Sequence, residues 1–191
     1  MNTTQTAAAT PPSPAVTRWT ALHILLHWIV AGLVLVQYLI GESMADNFRA
    51  TLNGEDPSTA ASFAAPTHMA VGIAIFLAVA ARVWDHFAHG RPPHPPGEPL
   101  WAQRLARVTQ TLLYVVVLAM PIAGLIAWFA ESTALASLHS LAAKLLLVLL
   151  ALHAAGALAN HYWFRTDVLR RMLPGQGRDT SDRGARRPAR D

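Results

Sequence analysis

The hydrophobic pattern divides the chain into four long apolar runs separated by polar, proline-bearing connections. The first run, "WTALHILLHWIVAGLVLVQYLIG" at 19–41, is long enough to cross a bilayer and carries aromatic residues near both ends. A second, "HMAVGIAIFLAVAARVW" from 68, is shorter and needs flanking residues to about 87. The third spans 105–130 and contains Pro121 and Gly124, which bundle packing tolerates although they invite a kink. The fourth lies within "LHSLAAKLLLVLLALHAAGALANHYWF", at 139–163. These runs predict an all-α, integral membrane four-helix bundle as one domain over 18–173. Residues 1–17 read as a polar, proline-bearing tail, and 174–191 as a basic disordered tail.

Composition strengthens this reading. Of 191 residues, 53% are hydrophobic and 14% charged, against roughly 25% charged in soluble domains. No room remains for a soluble catalytic domain beside four spans. The absence of cysteine excludes disulfides, iron–sulfur clusters and thiolate haem ligation, leaving metal chemistry to histidine, carboxylate or methionine.

Basic residues set the expected orientation, because cytoplasmic flanks are enriched in Lys and Arg. Arg18 precedes the first run, Arg82, Arg91, Arg104 and Arg107 flank the second connection, and a series of arginines follows the fourth run. The first connection is mainly acidic and the third has only Glu131. Both termini are therefore expected to be cytoplasmic. The net charge of +4 belongs to this topology and to contact with membrane lipid, and no nucleic-acid partner is expected.

Orientation gives each histidine a depth. His27 and His153 fall in the cytoplasmic halves of the first and fourth helices, whereas His68 and His139 open the second and fourth from the external side. His139 and His153 stand fourteen residues apart, about 21 Å of helical rise and nearly whole turns, so they share a face. Two imidazoles from different helices at each of two depths suit two haem groups. Each porphyrin supplies four equatorial nitrogens, and the protein supplies the axial pairs His27 with His153 and His68 with His139. Zinc would require further ligands that neither depth offers. Gly32, Gly72, Ala154, Ala155 and Gly156 would leave room for the discs, though such residues also serve ordinary helix packing.

A histidine in a bundle can instead simply hydrogen-bond a neighbouring helix, so the depth-matched pairing carries the argument. His23 reads as interfacial, near a haem propionate. His86, His89 and His94 read as solvated loop residues. Lys144 either snorkels outward or pairs with a propionate.

The segments "LHILLHWIVAGLVL", "HMAVGIAIFLAVAAR", "LLYVVVLAMPIAG" and "LHAAGALANHYWFRTDVLRRMLPG" resemble the bacterial cytochrome b561 family over about residues 18–175. Within it, the chain is similar to the small di-haem quinone-reactive cytochromes, including the superoxide oxidase type. That resemblance implies a multi-pass protein of the bacterial inner membrane with haem b ligands at His27, His68, His139 and His153. It also implies a cytoplasmic quinone site at His161, Trp163, Phe164 and Arg165, with His161 as proton donor and acceptor. Quinone reduction consumes protons, so a protonatable group where the ring meets water is chemically apt. An interfacial aromatic belt is the plainer reading of these residues. Gln110 and Asn160 stand where many members have histidine.

The expected function is transmembrane electron transfer between an external donor (superoxide, a partner redox protein or another small donor) and membrane quinone. A different class of function, a non-catalytic haem-bearing anchor subunit of a larger oxidoreductase complex, fits the same residues.

Overall fold

A computed structural model describes residues 19–90, 92 and 97–173; the expected tails and His94 lie outside these. Four helices follow in order: α1 (Ala21–Asn53), α2 (Thr59–His89), α3 (Leu100–Phe129) and α4 (Thr133–Tyr162), with a short 3₁₀ turn at Arg170–Met172. All four are long and apolar enough to span a membrane, and the described residues contain no strand.

Every helix is longer than its apolar core suggested. The connection after 41, expected as a loop, is mostly helical, because "ESMADNFRATLN" is polar without a breaker and supports itself with an Arg49–Asp46 ion pair. Polarity marks where the lipid ends and Gly54 marks where the helix ends, at φ 69° in the left-handed region. At 33 residues α1 is about 50 Å long against roughly 30 Å of hydrocarbon, so its last turns project beyond the membrane. Ser58 caps α2, which begins nine residues before the expected start and accommodates Pro66. It also runs on through His86 and His89, so both belong to a helix and not to the proline-rich loop. Ser132 likewise caps α4 at Thr133 rather than near 139.

The helices pair as two hairpins. α1 packs along α2 and α3 along α4, with a lighter contact between α2 and α3. Two side chains reach across from α1: Tyr38 Oη donates to Ala143 O, and Trp28 Nε1 donates to Met172 O at 2.7 Å. A buried knot of Val34, Ile75, Val79, Val117 and Leu146 joins the hairpins at mid-height. Most other large apolar side chains face outward, as a lipid-solvated bundle requires.

Alanine at Gly54 would have to adopt the left-handed conformation. Gly54→Ala is therefore expected to cost about 1 kcal/mol, read as a lower thermal unfolding midpoint in detergent.

Candidate functional site: two facing histidine pairs

Four histidines meet across the seam between the hairpins. His27 of α1 faces His153 of α4 with ring centroids 6.1 Å apart, and His68 of α2 faces His139 of α4, also at 6.1 Å. Rings in van der Waals stacking would sit closer, and hydrogen-bonded imidazoles would share a proton. A gap of this size would admit a metal between the rings: two metal–nitrogen bonds of about 2.0 Å, with each nitrogen about 1.1 Å from its ring centre, span roughly 6.2 Å. Both ring planes can contain such an axis whatever their mutual rotation, so the 57° and 64° interplanar angles are compatible with it.

Local contacts aim two of these rings. His139 Nδ1 lies 3.1 Å from the Met120 carbonyl oxygen, which favours a proton there and leaves Nε2 as the free lone pair. Pro121, next in sequence, and Gly124 shape this part of α3; a Cβ on Gly124 would come within 3.1 Å of His139 Cε1. Gln37 Nε2 donates to the His68 carbonyl at 3.0 Å, in a space where a side chain on Gly72 would intrude. His68 Nδ1 is buried without a hydrogen-bond partner among the described residues. Such an orphan costs about 1–3 kcal/mol unless something present in the functional state answers it. No group of three or more His, Asp or Glu able to hold a bare metal ion occurs among the described residues. The donor set thus fits a metal that brings its own equatorial ligands.

The pairs are evenly spaced about the apolar knot. Ile75 lies seven residues after His68, Val34 seven after His27, and Leu146 seven from both His139 and His153. Seven residues is close to two helical turns, so each helix shows its histidine and its apolar residue to the same seam.

At the Trp19 end lies a cluster that the sequence pattern did not reveal. His23, expected at the interface, is 1% exposed and stacks on Trp19 at 4.3 Å. Its Nε2 lies 3.1 Å from Arg82 Nη2, and its Nδ1 lies 3.2 Å from Asp85 Oδ2. Thr20 Oγ1 donates to the same Asp85 oxygen at 2.8 Å, while His89 Nδ1 sits 3.1 Å from Oδ1. Only the i,i+3 spacing of Arg82 and Asp85 on an apolar helix could have signalled it. Lys144 is exposed on the bundle surface.

The expected quinone residues do not form one pocket. His161 and Arg165 line a polar cavity of about 240 Å³ with Thr166, Asp167 and Arg170, whereas Trp163 and Phe164 line an open groove of about 760 Å³ with Trp101, Leu158 and Tyr162. Asn160 causes this division. Its side chain donates to Glu98 Oε1 at 3.1 Å, and its carbonyl accepts from Thr166 N at 2.9 Å, folding the chain back below α4 with Arg165 at φ 52°. His161 Nδ1 is buried in this corner without a hydrogen-bond partner among the described residues.

Residues 18–175 match the family of prokaryotic cytochrome b561. The chain belongs to that family. It is 32% identical over 157 residues to cytochrome b562 of Cereibacter sphaeroides, covering 81% of this chain and 94% of the relative. It is 24% identical over 178 residues to the probable superoxide oxidase CybB of Yersinia pestis, covering 82% and 96%. It is also 25% identical over 180 residues to cytochrome b561 homolog 1 of Escherichia coli, covering 82% and 97%. Family and fold together make this b561 chain a multi-pass bacterial membrane protein that binds haem b and transfers electrons.

Because a Cβ at Gly124 would press on His139, Gly124→Ala is expected to lower the haem content of the purified protein. The pyridine haemochrome assay measures that content.

Proposed function

We propose that the chain holds two haem b groups, one between His27 and His153 and one between His68 and His139, and carries electrons across the inner membrane between an external donor and quinone. The observation that carries this reading is the repetition of one separation, 6.1 Å between ring centroids, at two depths on three helices. Bound there, each haem supplies a one-electron carrier with no open iron position, which favours electron transfer over oxygen binding. The chain's own residues fix what surrounds it. His139 is held by Met120 and Gly124, His68 by the Gln37 bond to its backbone, and the layer of Val34, Ile75 and Leu146 excludes water between the two sites.

Arginines near the Trp19 end support a cytoplasmic side for that end. Quinone is exchanged there: the aromatic groove of Trp163, Phe164 and Trp101 takes the apolar ring and tail, and His161, in the adjoining polar cavity, exchanges the protons. At the Gly54 end the donor meets the His68–His139 pair. Superoxide is the donor to test first, because one relative is named as a probable superoxide oxidase. Two superoxide ions leave as two O₂, and their two electrons with two cytoplasmic protons convert quinone to quinol.

Haem analysis is expected to give two haem b per chain, with His139→Ala and His153→Ala each losing one; a single haem per wild-type chain would overturn the pairing. His161→Ala is expected to slow quinone reduction while leaving haem content and absorption spectrum intact. Superoxide generated enzymatically should reduce added quinone in the presence of the isolated protein, and inertness until a partner protein is supplied would assign the chain to the subunit class.

A further inference from the structure

One cation other than histidine is buried among the described residues, and it is Arg82. Its place follows from helical spacing. On α2, Arg82 stands seven residues after Ile75 and fourteen after His68, just as His153 stands after Leu146 and His139 on α4. Arg82 therefore lies along the same seam as the histidines, at the depth of His27 and His153, and it touches His23, one turn before His27 on α1.

A buried guanidinium demands an anion, since an uncompensated charge at such a place costs several kcal/mol. None of the described carboxylates supplies one directly. Asp85, one turn further along α2, is committed elsewhere: Oδ2 faces Thr20 Oγ1 and His23 Nδ1, and Oδ1 faces His89 Nδ1. A guanidinium can only donate, so its bond at 3.1 Å makes His23 Nε2 an acceptor and puts the proton of neutral His23 on Nδ1, which lies 3.2 Å from Asp85 Oδ2 without hydrogen-bond geometry. The chain Asp85–His23–Arg82 thus fixes one Nη and leaves the rest of the fork for another partner.

We propose that Arg82 binds a propionate carboxylate of the haem held by His27 and His153, and that His23 and Asp85 are positioning residues that hold the guanidinium toward it. This rests on the di-haem reading above. A planar fork of donors matches a carboxylate, and the resulting pair neutralises two charges that would each be costly in the bundle. The other pair has no such arginine: among the described residues Arg82 is the one buried at the seam, and Lys144, five residues from His139, is exposed. The two haems are therefore inequivalent, and the cation raises the potential of the cytoplasmic one by favouring its reduced form.

The test is a potentiometric titration of the purified holoprotein, with the propionate bending band followed by resonance Raman. Arg82→Gln is expected to move the midpoint potential of one haem to more negative values and to shift its propionate band, leaving the other haem unchanged. Arg82→Lys keeps the charge but not the fork, so the band moves while the potential stays closer to wild type. Asp85→Asn gives a smaller change at the same haem. Should Arg82→Gln lose that haem alone, the proposal is supported; should it lose both, Arg82→Lys decides, and an unmoved band there overturns it. Potentials and bands unchanged in Arg82→Gln, or displaced equally at both haems, also overturn it. Failure of the underlying reading would look different: wild-type protein would lack a second bis-histidine haem altogether.

Discussion

An imidazole inside a bundle with little water must be answered by something, and here each of four is set opposite another at a distance too long for direct bonding. The rest of the architecture serves that spacing. Two hairpins are internally well packed, yet they approach each other mainly through one apolar knot and a few long side chains. A tighter union of α1 with α4 would bury more surface but would close the gap between His27 and His153.

The apolar knot has the opposite task. Val34, Ile75 and Leu146 occupy mid-height, in the buried cluster where the hairpins meet. Packing there sets the separation of the hairpins, and so sets the width of both openings at once. Such a bundle owes part of its cohesion to what it binds. Each hairpin can insert as a unit with its backbone satisfied internally, and a haem held between the rings, as proposed, would then join the two.

Much of this was legible in the sequence because lipid imposes a crude rule on it. Four apolar runs gave four spans, and depth along them paired His27 with His153 and His68 with His139. Helix ends were misjudged because hydropathy reports where the membrane stops, whereas Gly54, Ser58 and Ser132 decide where the helices stop. His23 was expected at the interface near a haem propionate, because it lies four residues from the end of the apolar run. Its partners come from α2, sixty residues away in sequence. The division of the expected quinone residues was hidden for a similar reason: adjacent residues on a helix diverge by about 100°, and the fold-back at Asn160 and Thr166 widens that divergence.

α4 alone contributes to both pairs, with Leu146 midway between them. Electron tunnelling weakens steeply with distance, so in the proposed di-haem arrangement the separation of the carriers is the quantity the protein can least afford to let drift. With one proposed ligand of each carrier on a single rigid rod, that separation is written into the hydrogen-bonded backbone and not into side-chain packing. Loops, lipid-facing residues and even the partner helices can then vary in evolution while the tunnelling gap stays where fourteen residues of α-helix put it.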